Sequence, residues 1–370
     1  MKEYIGFRIK KKTAFKIILV LGSLLITFVV LEIGIRIFSP QEIMRPTFKY
    51  DERYINFLFP NSTTVHTIPG KWRFEYTNNE FSYRGKPIPI SDNYEKTNVV
   101  VLGDSFTYGS GVNDGEEYAA VLANHLAEKF DVINLGVGGW GLTQEIRRFY
   151  EFGILYQPRF VILQFCANDI SNNLEYPFVR VEDNKFVFTV RSQLALKGLN
   201  KYLANSIFQQ SHLFRYVTGK LWKLYRRNVN KKLAEDAVSE AQSESKEDSS
   251  SSPIGQSSEG TLSTVEENIK PVPGENYYIE LLNHFINDLS SRGVHLILIS
   301  VQHQIEEFLS VINFVEEINS TNPYFHYLRT QDWFEYTKEY RSPEGHWGVK
   351  ANAVLGLRLG EYIQSLALVH

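Results

Sequence analysis

The amino-acid sequence predicts an α/β protein in which a parallel five-stranded sheet is covered by helices on both faces, preceded by one membrane-spanning helix. From residue 97 onward, apolar runs alternate with segments of helical periodicity, with one long interruption. This alternation is typical of parallel strands joined by crossover helices. A separate apolar run lies near the amino terminus. The 370 residues, 43% of them hydrophobic, are enough to bury the core of one large domain.

Charge and cysteine content exclude several classes of function. A formal net charge of −3, from 39 basic and 42 acidic residues, indicates no basic surface for nucleic acid. The only cysteine, Cys166, excludes an internal disulfide and a cysteine-rich zinc site. Because it ends an apolar run, we expect a buried core thiol. No ligand spacing indicates a metal, and the chemistry inferred below needs no cofactor.

Residues 14–38 are long and apolar enough to cross a bilayer. The basic residues within the preceding tail, 1–13, predict a cytoplasmic amino terminus and a domain outside the cytoplasm. A cleaved signal peptide is the main alternative, but no small-residue cleavage site follows the run. A buried core helix would show a polar face, and residues 17–31 show none. The sequence therefore predicts an uncleaved, single-pass membrane anchor.

The remaining elements divide the chain into a membrane-proximal segment and a main domain. Residues 40–96 are predicted to form short strands and loops that pack on the domain at 97–370. The predicted strands of the domain are 99–102, 131–135, 159–165, 295–301 and 324–328. The predicted helices are 116–129, 142–152, 277–289, 305–318 and 348–367.

One long insertion, residues 171–275, interrupts the alternation of strands and helices. Its first part contains helix-like segments such as 213–227, and residues 234–267 are rich in serine and glutamate. A segment of that composition buries too little apolar surface to fold, so we predict disorder there. The insertion is a candidate docking arm for an envelope protein, or a lid over a substrate site.

A candidate nucleophile follows the first strand of the domain. The apolar run ends at Gly103, and Asp104 and Ser105 come directly before a segment that can continue as a helix. A serine at this junction has its hydroxyl at the carboxyl end of the sheet and its N–H at a helix start, where an oxyanion is stabilised. The alternative is that Asp104 and Ser105 only cap the helix.

Three further groups of residues follow other strands or precede the last helix. Gly139 lies in a glycine-rich turn, Asn168 and Asp169 follow the third strand, and Glu344 and His346 precede the last helix. Each has a structural alternative, namely a tight turn, a cap or an uninvolved loop. Since ligands bind at the carboxyl ends of parallel strands, all of them converge on one cleft. There the histidine can act as a base for a serine, with an acidic residue to orient it.

The sequence resembles the SGNH (GDSL-type) serine hydrolase superfamily, in the form of a membrane-anchored bacterial member. The matching blocks are Gly103-Asp104-Ser105, Gly139, Asn168-Asp169 and Glu344-Gly345-His346. The lead-in at 79–85 also resembles membrane-anchored members, with Ser82 in place of a glycine. The resemblance extends from about residue 78 to the carboxyl terminus without the insertion. It implies a flavodoxin-like, three-layer sandwich.

The resemblance also implies a role for each site residue. Ser105 would be the nucleophile and His346 the base, with Glu344 as the acid that orients it. The oxyanion hole would consist of the N–H groups of Ser105 and Gly139 and the side chain of Asn168.

Several positions support or depart from the family pattern. Asp104 and Asp169 are supporting residues at the site. The acid before the histidine is usually aspartate, whereas here Glu344 precedes it by two residues, and its longer arm requires a different backbone placement. Asp332 is an alternative acid. Cys166 replaces a glycine that is common in the third block.

By resemblance, the reaction is acyl transfer through an acyl-serine, resolved by water in an esterase or by a sugar hydroxyl in an O-acyltransferase. Alginate O-acetyltransferases have a distantly similar arrangement. The predicted topology favours an acylated envelope glycan or lipid as substrate. Two non-enzymatic alternatives use the same fold: a glycan-binding surface protein and a scaffold for envelope assembly. The four intact blocks favour the enzyme.

Overall fold

The computed structural model describes residues 11–45, 48–190, 211–221, 224 and 274–369. It begins with helix α1 (Lys11–Phe38), whose 28 residues have no buried side chain. At about 1.5 Å per residue it is longer than the roughly 30 Å hydrocarbon core of a bilayer. By length and composition, α1 can therefore span a membrane.

The strands and remaining helices follow in chain order. The strands are β1 (Ile43–Arg45), β2 (Lys49–Asp51), β3 (Ile55–Phe57), β4 (Ser62–Ile68), β5 (Trp72–Asn78), β6 (Thr97–Leu102), β7 (Phe130–Asn134), β8 (Phe160–Phe165), β9 (Val179–Glu182), β10 (Lys185–Phe188), β11 (His295–Ser300) and β12 (Phe325–Leu328). The helices are α2 (Ser105–Tyr108), α3 (Tyr118–Leu126), α4 (Leu142–Glu151), α5 (Asn168–Glu175), α6 (Glu275–Ser291), α7 (Leu309–Thr321) and α8 (Val349–Val369).

A five-stranded sheet of order β12-β11-β8-β6-β7 forms the centre of the domain. All four neighbouring pairs are parallel, with Val100 opposite Val161 and Val101 opposite Asn134, for example. The central strands are buried on both faces, which explains why they read as continuous apolar runs. The predicted α/β fold class with five parallel strands is confirmed.

Helices cover both faces of this sheet, as side-chain alternation along β6 shows. Val99 and Val101 face the apolar residues of α3 and α8. Val100 and Leu102 face those of α4, α6 and α7. Because successive side chains of a strand point to opposite faces, one strand contributes to both layers of the core. The result is a three-layer sandwich whose strand ends meet at one edge.

The membrane-proximal segment forms a smaller antiparallel sheet of order β1-β4-β5 and a hairpin of β2 and β3. Its aromatic side chains Tyr54, Phe57 and Tyr76 share a core with Tyr108 and Trp140 of the main domain. Tyr108 ends α2 and Trp140 lies in the glycine-rich turn, so this segment packs against two loops of the candidate site.

The structure differs from the sequence-based expectation in several elements. Helix α2, after Ser105, has only four residues and ends at Gly109, which adopts φ +85°. The insertion contains the β9–β10 hairpin, which was not predicted. The helix expected at 305–318 is a 3-10 turn, Gln302–Glu307, followed by α7, because Phe308 between them has non-helical backbone angles (φ −116°, ψ 84°). Within 213–227, the residues up to 221 and residue 224 are helical. The predicted disorder at 234–267 lies outside the described residues, and the domain boundaries remain predictions.

Candidate active site

A tight turn at the end of β6 presents Ser105. Gly103 adopts φ +152°, and a Cβ atom there would lie 2.2 Å from Thr107 Oγ1. Only glycine fits this approach. Asp104 caps the short helix, because its Oδ1 accepts a hydrogen bond from the Phe106 N–H at 2.9 Å. The chain is thereby folded so that Ser105 is the first residue of α2, at the carboxyl end of the sheet.

His346 is within hydrogen-bond distance of the serine. Its Nε2 lies 2.7 Å from Ser105 Oγ. A turn holds the histidine, since the Gly345 N–H donates to the Ser342 carbonyl at 3.0 Å and the His346 N–H donates to Ser342 Oγ at 3.1 Å. The Phe106 ring, with its centroid 4.7 Å from that of the imidazole, packs against it. This is the geometry that a serine nucleophile and its general base require.

Glu344 is the acidic residue that lies beside His346. Its Oε1 is 3.3 Å from His346 Nδ1, and only 5% of the side chain is exposed. The longer arm fits because Gly111, at φ +84°, has no side chain; a Cβ there would lie 2.7 Å from Glu344 Oε1. The alternative acid, Asp332, is 64% exposed and lies 4.0 Å from Arg329 on the surface.

An open cleft of about 540 Å³ brings the candidate oxyanion donors together with Ser105 and His346. Gly139 has φ +80°, and its turn runs beside the serine, since a Cβ on Gly138 would lie 3.6 Å from Ser105 Cβ. Asn168 is the first residue of α5. The other lining residues are Ile55, Asn56, Asp104, Phe106, Cys166, Asn172 and Tyr176.

Buried carboxyl groups lie beneath this cleft. Burial raises the pKa of Asp104 and raises that of Asp169 well above its ordinary range, where Glu145 and Asp104 add repulsion. Asp169 also accepts the Cys166 N–H at 2.9 Å, which fixes the turn before α5. Burial, with Asp104 nearby, raises the pKa of Glu145 as well. Sequence reasoning missed Glu145, whose position on α4 gave no signal.

Cys166 is a buried core residue, as its apolar context predicts. It is 6% exposed, and its thiol donates to Gln304 Oε1 at 3.3 Å. Burial raises the pKa of the thiol well above its ordinary value, which disfavours the reactive thiolate.

His66, on β4, is a site residue that sequence reasoning missed. Its Nδ1 lies 3.1 Å from Glu344 Oε2, and its Nε2 lies 2.5 Å from Glu42 Oε1. The hydrogen bond with His66 lowers the pKa of Glu42. Alternation along β4 buries both Thr64 and His66, and a buried strand histidine is the signal that could have found it.

Glu42, His66 and Glu344 are also the described side chains that could hold a metal ion, since their ligand atoms lie within 4.8 Å of one another. This group could not be predicted from a short spacing between metal ligands, because the three residues are far apart in the chain. The same atoms already pair with one another, and His66 bridges the two carboxylates.

The lead-in segment supports the loop after the nucleophile. The buried Arg84 guanidinium donates to the carbonyls of Tyr108, Gly109 and Val112 at 3.0, 2.7 and 3.0 Å. Ser82, at the position where the resembled pattern has glycine, adopts φ +58°. That left-handed conformation explains why glycine suits the position.

Residues 101–210 match the model of the GDSL-like lipase/acylhydrolase family. This stretch contains Ser105, Gly139 and Asn168, whereas His346 lies beyond it. Over this stretch the protein is similar to the GDSL-type hydrolases. No curated protein matches the sequence.

Solved structures of GDSL-type proteins are similar at low identity. TesA has 11% identity and a TM-score of 0.40, with 73% of this chain and 99% of that chain covered. A lipolytic protein of the G-D-S-L family from Desulfitobacterium hafniense has 14% identity and a TM-score of 0.39, with 72% and 99% covered. The psychrotrophic esterase EstA from Pseudoalteromonas sp. has 11% identity and a TM-score of 0.39, with 74% and 99% covered.

Proposed function

We propose that this protein is a GDSL-type hydrolase that cleaves carboxylic esters through an acyl-serine intermediate. The observation that carries the proposal is the 2.7 Å separation between Ser105 Oγ and His346 Nε2. His346 takes the hydroxyl proton as Ser105 attacks the ester carbonyl, and a tetrahedral oxyanion forms. His346 then returns the proton to the leaving alcohol, and the acyl group stays on Ser105. Water, activated by the same histidine, releases the acid and regenerates the serine.

Three donors stabilise the oxyanion in this proposal. They are the N–H groups of Ser105 and Gly139 and the side-chain amide of Asn168, all at the same cleft. Such donors are fixed before the reaction, so they stabilise the charge that develops without reorganising. Asp104 and Asp169 support them through the turns that precede Phe106 and Asn168.

Glu344 orients the base. A carboxylate beside Nδ1 favours the tautomer with a proton on that nitrogen, which leaves Nε2 free to accept the serine proton. The 3.3 Å separation between Glu344 Oε1 and His346 Nδ1 supports this role.

We further propose a short acyl group on an envelope glycan or lipid as the substrate. The cleft is open, and the polar residues Asn56, Asn168, Asn172 and Tyr176 line it together with the apolar Ile55 and Phe106. This mixed lining supports a short acyl group on a hydroxyl-rich carrier. Helix α1 supports a site held at a membrane, and the basic tail before it supports a catalytic domain outside the cytoplasm. A sugar hydroxyl that entered the open cleft in place of water would convert hydrolysis into O-acyl transfer.

The alternatives predict different behaviour. A catalytically inactive glycan-binding protein has no use for a base hydrogen-bonded to a serine, so this geometry favours the enzyme. An envelope partner at the insertion 171–275 is a separate proposal that is compatible with catalysis. Deletion of residues 225–273 alone keeps Asn172, Tyr176 and the β9–β10 hairpin in place; unchanged esterase activity with lost partner binding in that variant would assign the deleted part to docking.

The substrate proposal is tested with detergent-solubilised, full-length protein. We expect hydrolysis of p-nitrophenyl acetate and of an acetylated oligosaccharide, with rates that fall as the acyl chain lengthens from acetate to palmitate. Faster cleavage of palmitate would contradict the short-acyl proposal. Ser105→Ala protein, prepared identically, is the control for spontaneous hydrolysis.

A further inference from the structure

His66 comes from the membrane-proximal sheet and reaches the acid of the proposed catalytic group. It lies on β4, opposite Met44 of β1 and Phe74 of β5. Its side chain is 5% exposed. The Trp72 ring contacts the imidazole edge-on with centroids 4.9 Å apart. The ring is therefore packed within its own sheet.

The hydrogen-bond partners of His66 define what each ring nitrogen does. Nε2 lies 2.5 Å from a carboxylate oxygen of Glu42, which can only accept, so Nε2 carries a proton. Nδ1 lies 3.1 Å from Glu344 Oε2 and 2.8 Å from the Tyr76 hydroxyl. That hydroxyl in turn accepts the Gly111 N–H at 2.9 Å.

The two oxygens of Glu344 thus face two different histidines. Oε2 lies beside His66, and Oε1 lies 3.3 Å from His346 Nδ1. An unpaired buried charge is costly, and among the described residues Oε1 makes no hydrogen bond, so the contact at Oε2 is the one that can hold this almost wholly buried carboxylate. An Nδ1–H that pairs with Oε2 would fix the rotation of the carboxylate, and that rotation determines where Oε1 points.

We propose that His66, as an imidazolium between Glu42 and Glu344, is a positioning residue that holds Glu344 through Nδ1–H, so that Glu344 can orient His346. This inference rests on the proposed function. It extends the Ser105–His346–Glu344 arrangement by His66 and Glu42, and Glu42 stands four residues after α1 ends. The charged and titratable groups around His66 are Glu42, Tyr76, Glu344, His346 and Arg215. Of these, Arg215 acts on Glu42. The membrane-proximal sheet is then part of the catalytic apparatus.

A matched pair of variants tests the Nδ1 contact specifically. Asparagine places its amide near the position of imidazole Nδ1, and glutamine places its amide near that of Nε2. We therefore compare His66→Asn, His66→Gln and His66→Ala in detergent-solubilised, full-length protein, with p-nitrophenyl acetate as substrate and melting temperature as the control for folding.

We expect kcat to fall about tenfold to a hundredfold in His66→Ala and His66→Gln with KM unchanged, because only the geometry at His346 is lost. We expect His66→Asn to stay within about threefold of the wild-type protein, because it restores a donor to Glu344. A structural role alone would lower the amount of folded protein and would not separate the two amides.

Three results would overturn the inference. These are wild-type kcat in folded His66→Ala, equal losses in the asparagine and glutamine variants, and loss of wild-type activity on treatment with EDTA. The last would mean that Glu42, His66 and Glu344 hold a metal ion instead. Failure of the proposed function is distinguishable, because the wild-type protein itself would then show no esterase activity, and the inference would fall with it.

Discussion

Glu344 Oε1 lies 3.3 Å from His346 Nδ1 and stands 2.7 Å from the place that a Cβ atom on Gly111 would occupy. The glutamate therefore occupies space that a side chain at position 111 would take. In the proposed mechanism a glutamate does the work of the usual aspartate, because the absence of a Cβ at Gly111 leaves room for the longer side chain.

We expect Glu344→Gln to lower kcat with p-nitrophenyl acetate by roughly a hundredfold or more, because an amide supports the wrong histidine tautomer. Glu344→Asp should also lose activity, since its carboxylate is one methylene short of Nδ1. The exposed Asp332→Asn is the control and should match the wild-type protein. Wild-type kcat in folded Glu344→Gln would remove Glu344 from the mechanism.

Gly111→Ala tests the space around the acid. Gly111 and Gly115 have nearly the same backbone conformation, at φ +84° and +87°, but nothing lies near a Cβ on Gly115. Both alanine variants should lose about 1–2 kcal/mol of stability from the left-handed conformation. Only Gly111→Ala should also lower kcat, because its methyl group would displace Ser342, whose Oγ lies 2.3 Å from the added Cβ, and Glu344, whose Oε1 lies 2.7 Å from it. Equal kcat values in the two variants, at temperatures where both are folded, would refute this explanation.

Asn168→Ala should lower kcat by on the order of a hundredfold, because one oxyanion donor is removed. Asn168→Asp, with the same shape and a charge that repels the oxyanion, should be at least as slow. KM should change little in either variant. Near-wild-type turnover in folded Asn168→Ala would exclude this side chain from the oxyanion hole.

The buried Glu145 should make stability depend on pH. Burial raises its pKa in the folded protein above the ordinary value of 4.5. The folded state therefore keeps a proton that the unfolded state releases, so stability is complete below about pH 4.5 and falls as pH rises toward the folded-state value.

Each unit of that pKa difference is worth about 1.4 kcal/mol. We expect Glu145→Gln to remove this decline. As the pH rises from 4.5 to 7.5, the melting temperature of the variant should therefore rise relative to that of the wild-type protein. Thermal unfolding followed by tryptophan fluorescence measures it. Parallel curves for the two proteins would show that Glu145 does not titrate across this range.

Local patterns were sufficient to predict the sheet and the main blocks of the site. The apolar runs of β6 and β8 are continuous because both faces are buried, and the residues after them stand where strand ends must lie. The sequence order of Ser105, Gly139, Asn168 and His346 then placed all four at one edge. Periodicity and turn chemistry depend on residues that are a few positions apart, so both can be recognised in the sequence alone.

The missed features depend on contacts between distant segments. His66 and Glu344 meet only because β4 packs beside the His346 loop. Neither segment contains a local pattern that predicts this contact. In the sequence, Gly111 resembles an ordinary turn glycine. Its proximity to Glu344 is visible only in the structure. Glu145 has polar neighbours in the sequence, yet it is 1% exposed and lies near the buried Asp104 and Asp169, which are distant in the chain.

The central claim, an activated serine at Ser105, is tested most directly by fluorophosphonate labelling. Full-length wild-type protein should react with the probe, and Ser105→Ala and His346→Ala, both folded, should not. The reason is the 2.7 Å contact between Ser105 Oγ and His346 Nε2. A folded wild-type protein that stays unlabelled, or a Ser105→Ala variant that labels as the wild type does, would contradict the account.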